Sequence, residues 1–297
     1  MELKKPLSYK NQISRLIESG MRVDDSEKAR RILSEVNYYR FIGYALQFRK
    51  DPGKSIYTPG TCFDDVYNIY VFDAKLRNIL KPYLERVELL FRTRIAYGFS
   101  MSKCQKPPHD AHYLECNFYN KEGYRRIIKS LKREEEYNKD LLVVKHHKEK
   151  YDDKMPLWVL VELMSFSNLS KLYSAMYKTE QEVIAYSVKT KPLILANHLH
   201  CLSILRNKCA HGARLYDIKF SPPVKLGKST LLKNKGLLND TFFAYLIALI
   251  RRLPSHSDKK ILVEEFLDLV SHYDDCIELK RLGCMNGYEN VLKSELI

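Results

Sequence analysis

The chain has 297 residues, of which 45% are hydrophobic, so it can bury a sizeable core in one large domain or two smaller ones. Its 50 Lys and Arg against 36 Asp and Glu give a net charge of +14, which favours a polyanionic partner, nucleic acid before an anionic membrane. Neither an apolar run of the ~20 residues that span a bilayer nor the apolar segment of a signal peptide is present, so we expect a cytoplasmic protein without a membrane partner.

The first 58 residues predict an N-terminal helical segment. After a short basic arm and a first helix, Asp24 and Glu27 have the spacing of a capping box and open a second helix that continues to about Phe48. Turn-forming residues follow, so we place a domain boundary here and assign residues 59–297 to a second, larger helical domain.

A long helical pattern begins at Thr61. Pro82 within it predicts either a kink or the start of a new helix. The part after Pro82 carries Glu88 and Arg92 one turn apart. On a solvated surface such a pair stabilises a helix by at most about half a kcal/mol.

Residues 124–150 predict one charge-dense helix, with Lys145, His146 and Lys148 close together. The cluster is suited to binding a phosphate, although an ordinary solvated helix face has the same composition.

The nearly uninterrupted apolar run over residues 157–166 predicts a buried helix that includes Trp158. Glu162 is an unusual charge within that run, and we expect it to be paired or to face an active site.

A helix that begins at Pro192 carries Arg206, Asn207 and His211 in its last turns and ends at Gly212, a helix-stop residue. Arg binds phosphate with a fork of donors, and His gives and takes protons near neutral pH. Cleavage of RNA through its 2′-OH needs these two chemistries. The non-catalytic alternative is that the cations cap the helix C-terminus, where the helix dipole stabilises them.

Helix geometry constrains how the three residues meet. Asn207 and His211 share a face, whereas Arg206 and His211 project roughly 140° apart on a regular helix. Either the helix loosens before Gly212, or the Arg206 side chain wraps around, or two copies of the motif meet across a two-fold axis.

A loop of more than twenty residues is predicted after Tyr216, and its position next to the motif favours a role in binding a phosphate backbone. In the N-terminal segment, Tyr39 and Arg40 combine a ring for base stacking with a cation, although aromatic residues at helical spacing more often belong to a core. The lysines of the predicted loop complete the candidate RNA-binding set: Lys219, Lys225, Lys228, Lys233 and Lys235.

No metal or cofactor is expected. His198 and His200 are two residues apart, on opposed sides of a helix, and cannot chelate one ion there. The seven cysteines are scattered without C-x-x-C spacing, and no Gly-rich phosphate loop or nucleophile elbow is present. Strand-like alternation is absent as well, so the predicted fold class is all-α.

The segment Arg206–Asp217 resembles two related signatures. Arg206 to His211 fits the R-x(4–6)-H motif of HEPN ribonuclease domains. The whole segment resembles the RN-x-x-AH-x-x-R-x-(W/Y)-(N/D) signature of the Abi-like abortive-infection family, the AbiD and AbiF group. Residues 5–12, 37–44 and 156–166 match the family too, so the resemblance covers most of the chain. Members often carry Gly-Thr where this chain has Ser167-Asn168, a departure that we expect to leave catalysis unaffected.

The resemblance implies a HEPN-like helical bundle with an N-terminal helical extension, and an anti-phage abortive-infection protein that is a metal-independent endoribonuclease. Arg206 would hold the phosphate, His211 would be the acid or base, and Asn207 would orient one of them. The helix with Glu88 and Arg92 would pack beside the motif, where its carboxylate could orient Arg206. Arg214 is a further supporting candidate.

The resemblance also implies the partners. A homodimer would bring both motifs to one axis, and a structured small RNA would regulate the enzyme. The alternative from another class is a non-catalytic RNA-binding or toxin-partner protein of HEPN shape. The intact set of Arg206, Asn207 and His211 weighs against that alternative.

Overall fold

The computed structural model describes residues 3, 5–51 and 53–296. The remaining five residues of the predicted domains, Met1, Glu2, Lys4, Pro52 and Ile297, lie outside this part. Within it there are fourteen α-helices and no strand, so the predicted all-α fold is confirmed. No helix in these ranges is long and apolar enough to cross a bilayer.

Most helices follow one another after short connections, longer ones precede α4, α5, α11 and α14, and four 3-10 turns lie between the helices. In chain order the α-helices are α1 (Tyr9–Glu18), α2 (Ser26–Glu35), α3 (Tyr38–Tyr44), α4 (Phe63–Lys103), α5 (Lys121–Tyr137), α6 (Leu142–Lys150), α7 (Leu157–Leu163), α8 (Phe166–Ala175), α9 (Lys178–Tyr186), α10 (Pro192–Ala210), α11 (Lys228–Lys233), α12 (Phe242–Arg252), α13 (His256–His272) and α14 (Tyr288–Ser294).

α4 is the axis of the molecule. Its 41 residues extend for about 60 Å, and α3, α7, α8, α9, α10, α12 and α13 pack against it. Pro82 neither ends it nor starts a new helix. Pro82 and Asn78, whose carbonyl loses its helical partner, are both exposed, so the proline lies on the solvent side of α4. The hydrophobic core along α4 is continuous across the predicted domain boundary at residue 58.

Three predicted helices are divided in the structure. The one expected to reach Phe48 breaks after α2, because the Asn37 side chain accepts a hydrogen bond from the Tyr39 N–H at 2.9 Å and caps α3. The one predicted over residues 124–150 consists of α5 and α6. The run over residues 157–166 breaks between α7 and α8, where Ser165 caps α8 by accepting from the Asn168 N–H.

Two further expectations are wrong in detail. Trp158 lies on the solvent side of the short helix α7 and is 58% exposed, although the apolar run around it predicted burial. The predicted loop after Tyr216 contains the six-residue helix α11, and Val224, Leu226 and Leu237 fix it to the core.

Candidate functional site

The motif helix α10 stays regular to Ala210 and ends sharply. The His211 N–H donates to the Asn207 carbonyl at 3.0 Å, Gly212 has a φ of +63°, and the Ala213 N–H donates to the Lys208 carbonyl at 2.8 Å. This is the glycine-dependent helix end that the sequence indicated. The helix therefore does not loosen before Gly212. His211 stands just outside it, with its side chain exposed.

Arg206 is held by a carboxylate from α4. Its Nε lies 3.2 Å from Oε2 of Glu88, and the other carboxylate oxygen accepts from Nη2 of Arg92 at 2.6 Å. Glu88 is only 6% exposed, whereas the Arg206 side chain is 42% exposed. Arg92 also donates to the Val161 carbonyl in the last turn of α7. One chain of contacts thus links α10, α4 and α7 and leaves much of Arg206 open to solvent.

A cavity of about 400 Å³ lies against this chain of contacts. Glu162 lines it with an exposed side chain, on the side of α7 that faces Arg206. The charges around the cavity balance, three cations against three carboxylates. They are Lys81, Arg92, Arg206, Glu85, Glu88 and Glu162. The cavity is therefore not a strongly basic one, and a phosphate would meet Arg206 on its solvent side.

Asn207 is oriented by the residue at which the chain departs from the resembled family. Its Nδ2 donates to the Ser167 hydroxyl at 3.3 Å, across the packed helices α8 and α10. The substituted position thus contacts the motif directly, which sequence comparison alone did not indicate.

A buried carboxylate fixes the segment that follows the motif. Asp73, fully buried on α4, accepts hydrogen bonds from the backbone N–H groups of Leu215 at 3.1 Å and Tyr216 at 2.9 Å. The Tyr44 hydroxyl donates to it at 2.6 Å, and Arg77 forms an ion pair with it. Burial raises the pKa of the Asp73 carboxyl, although Arg77 and these donors act in the opposite direction.

Sequence reasoning missed the Asp73 network. The available signal was an i,i+4 acid–base pair, Asp73 and Arg77, on the face of α4 that otherwise carries apolar residues. Charged pairs on a core-facing stripe are unusual because an unpaired buried charge is costly.

The N-terminal segment holds the same region from the other side. Arg40 donates to the Gly212 carbonyl, and Arg214 donates to the Gly43 carbonyl while its guanidinium lies 5.9 Å from the ring centre of Tyr44. In the described residues Arg214 therefore bonds to α3, and the contacts do not bring it to Arg206.

Residues near the C-terminus complete the enclosure. The Glu278 N–H donates to the Tyr216 hydroxyl at 2.9 Å, and Arg281 lies 3.2 Å from the Asp217 carboxylate. Burial raises the pKa of Tyr216 to about 12, so its hydroxyl stays protonated at neutral pH.

The other predicted RNA-binding residues lie on the surface. Lys145, His146 and Lys148 are exposed on α6, and Lys145 pairs with Asp140 at 3.3 Å. The five lysines after the motif are also exposed: Lys219, Lys225, Lys228, Lys233 and Lys235. Their segment is tied to α10, because the Asn197 side chain accepts from the Lys225 N–H at 2.7 Å and donates to the Pro223 carbonyl at 3.0 Å.

Tyr39 borders a cavity of about 1010 Å³ between α1 and the end of α2. Three cations also line it, Arg15, Arg49 and the exposed Lys5, and Glu35 is the acidic residue in its wall. This cavity combines rings with cations, but Arg40, the cation predicted to act with Tyr39, is not among its wall residues.

Thiols and histidines of the motif helix do not form a metal site. Among the described residues there is no group of three His, Cys, Asp or Glu side chains that could hold an ion. Burial lowers the pKa of His198 to about 3 and raises that of Cys209 to about 12, so both are neutral at physiological pH. His198 instead donates to the Lys225 carbonyl at 3.1 Å.

Comparison with known proteins gives one match. A family model described as Abi-like protein matches residues 31–217, more than half of the chain, from the end of α2 through the motif to Asp217. No curated protein and no solved structure matches the chain.

Proposed function

The chain belongs to the Abi-like protein family, which points to abortive-infection defence, and from this premise we propose that it is a metal-independent endoribonuclease. The observation that carries the proposal is the contact between Glu88 and Arg206. A nearly buried carboxylate fixes a half-exposed guanidinium five residues before an exposed His, which is an arrangement suited to a phosphate beside a proton donor or acceptor.

The reaction that we propose is a transesterification through the 2′-OH of the RNA. The 2′-oxygen of the RNA attacks the adjacent phosphorus while the bond from phosphorus to the 5′-oxygen breaks, leaving a 2′,3′-cyclic phosphate and a 5′-hydroxyl. His211 takes the proton from the 2′-OH or gives one to the departing oxygen, and Arg206 binds the phosphate oxygens. Asn207, whose side chain donates to the Ser167 hydroxyl, orients Arg206 or His211.

One chain supplies one His211, whereas the reaction needs both a base and an acid. We therefore propose a homodimer in which two motifs share one cleft. The exposure of His211 supports it, as does the spacing of five residues between Arg206 and His211, which corresponds to roughly 140° on a regular helix. Light scattering should give twice the mass of the chain, and a monomer both with and without RNA would contradict the dimer.

The charge distribution supports RNA as substrate and as a structured regulatory partner. Exposed cations lie on α6, at Lys145 and Lys148, and on the segment after the motif, which together are more than one scissile phosphate needs. Affinity for RNA should fall by about 0.7 to 0.9 log units per log of salt for each phosphate neutralised. Sequencing the RNA that co-purifies from the native locus tests the regulator, and random fragments without one discrete species would remove it.

The test of the nuclease compares two exposed histidines, His211 at the end of α10 and His200 within it. His211→Ala should slow RNA cleavage by roughly 10² to 10⁴, because a proton-transfer group is lost. His200→Ala, which removes an exposed His eleven residues earlier on α10, is the matched control and should cleave normally. Products should carry cyclic phosphate ends, and EDTA should have no effect.

A non-catalytic RNA-binding protein is the competing function. It predicts that the wild-type chain binds RNA and that the His211→Ala and His200→Ala variants differ in neither binding nor cleavage. Cleavage that survives His211→Ala would point to a contaminating nuclease or to another site.

A further inference from the structure

A second cavity, of about 640 Å³, lies between α4 and α7 directly beside the Arg206 cavity, and the two share Arg92 and Glu162 as wall residues. Its volume is typical of sites that hold a small molecule. We propose that it is a nucleobase pocket, which receives the base of a nucleotide adjacent to the phosphate at Arg206. The inference rests on the proposed function, since it gives that site a subsite for its substrate.

Two exposed aromatic rings form part of the wall of this cavity. Trp158 and Tyr97 line the cavity, and they are 58% and 64% exposed. Leaving two large rings in water forfeits hydrophobic stabilisation, and neither ring takes a place in the core. Flat, accessible rings at the wall of a cavity are the groups on which unpaired RNA bases stack.

Polar groups also line this cavity. Ser100 is 7% exposed, and among the described residues its hydroxyl has no hydrogen-bond partner. The nearby Cys104 thiol is a weak hydrogen-bonding group and does not replace one. Gln105 and His109 line the same cavity. A buried hydroxyl without a partner is costly, and the edge of a base supplies the donors and acceptors that would satisfy it.

Arg92 links this cavity to Arg206. Arg92 pairs with Glu88, which holds Arg206, and it also donates to the Val161 carbonyl on the helix that bears Trp158. One side chain therefore contacts both the carboxylate that holds Arg206 and the helix that carries Trp158. A base and its neighbouring phosphate, joined by one sugar, need two subsites in a fixed relation.

Trp158 is the single tryptophan of the sequence, so its fluorescence reports on this cavity alone. The His211→Ala protein, which leaves RNA intact, would be titrated with the four nucleoside monophosphates and with ribose 5-phosphate. Saturable quenching by the nucleotides, with none by the sugar phosphate, is the expected result, because only the base stacks on the indole.

Variants in the same His211→Ala background measure the contribution of the ring. Trp158→Ala should weaken the binding of a labelled hexanucleotide RNA by roughly 5- to 150-fold, the range measured for base stacking on an aromatic side chain. Trp158→Phe should retain most of the affinity. Tyr137→Ala, which removes an exposed ring outside the cavity, should bind normally. Ser100→Ala should change the order of affinity among the four bases.

The outcomes separate this proposal from the nuclease itself. Trp158 emission that is the same with nucleotides as with ribose 5-phosphate, together with normal RNA binding by Trp158→Ala, would overturn the base pocket. Cleavage by the wild-type chain would still support the nuclease. A change of oligomeric state in Trp158→Ala without any nucleotide effect would also overturn it, since a second copy would then cover the cavity. Quenching in a chain that proves not to cleave would contradict the nuclease and leave the base pocket standing.

Discussion

Glu88 faces two guanidinium groups with one carboxylate, so Glu88→Gln tests the candidate site directly. The substitution keeps the shape of the side chain and removes its charge, next to Arg206 at 3.2 Å and Arg92 at 2.6 Å. Arg206 is exposed enough for water to solvate its charge. The Arg92 side chain is only 11% exposed, so the main cost is its uncompensated charge.

The expected loss of stability in Glu88→Gln follows from the burial of Arg92. Removing one member of a buried ion pair costs about 3–5 kcal/mol, and the lower end applies because Gln keeps an acceptor and Arg92 keeps the Val161 carbonyl. A chain of 297 residues has an unfolding entropy of about 0.6 kcal/mol per K, so Tm should fall by about 5 °C. RNA cleavage should fall roughly 100-fold because Arg206 loses its fixed position.

Thermal unfolding and RNA cleavage would be measured on the same preparations, with Glu85→Gln as the matched control. Glu85 lines the same cavity from the same helix but is exposed, and among the described residues it forms no ion pair. Its substitution should change stability by less than about 0.5 kcal/mol. If Glu88→Gln and Glu85→Gln melt at the same temperature and cleave equally well, the reasoning from Glu88 to Arg206 is refuted.

Two further predictions concern buried groups outside the reacting set. Asp73→Asn should lower the free energy of unfolding by about 3–5 kcal/mol, since an amide cannot accept from Arg77, Tyr44 and two N–H groups at once; a Tm within 1 °C of the wild type would contradict it. Burial holds the pKa of His198 at about 3, below the ~6.5 of an unfolded chain, so the unfolded form binds more protons between these values and stability falls as the pH falls. From pH 7 to pH 5 this group should remove about 2 kcal/mol from the free energy of unfolding by urea, and His198→Gln should abolish that part of the pH dependence.

Much of the fold could be predicted from the sequence because its signals are local. Hydrophobic spacing predicts α4, the motif helix and α12, and Gly212 marks the end of α10 where the structure places it. The helix breaks at Asn37 and Ser165 were missed, although both residues are common N-caps. In each case the apolar spacing continues across the break, so periodicity alone predicted one helix.

The site could be predicted only in part. Arg206, Asn207 and His211 stand in one short segment, and their chemistry is visible there. The partners that hold them come from far along the chain: Glu88 lies 118 positions before Arg206, and Asp73 accepts from backbone N–H groups 142 and 143 residues away. Which carboxylate meets which donor depends on how α4 packs against α10, and one sequence does not contain that information. The predicted burial of Trp158 was wrong for a related reason. Apolar spacing does not indicate which side chain of a short helix points to solvent.

The segment after the motif is enclosed by the two ends of the chain, Arg40 from the beginning and Glu278 and Arg281 from near the end. During synthesis, the ribosome releases the first of these partners long before the motif and the last ones some sixty residues after it. The growing polypeptide therefore cannot form the hydrogen bond and ion pair around Tyr216 and Asp217 until residues 278–281 have been made. If the proposed nuclease activity requires this segment to be ordered, a nascent chain that has not yet reached Arg281 is inactive.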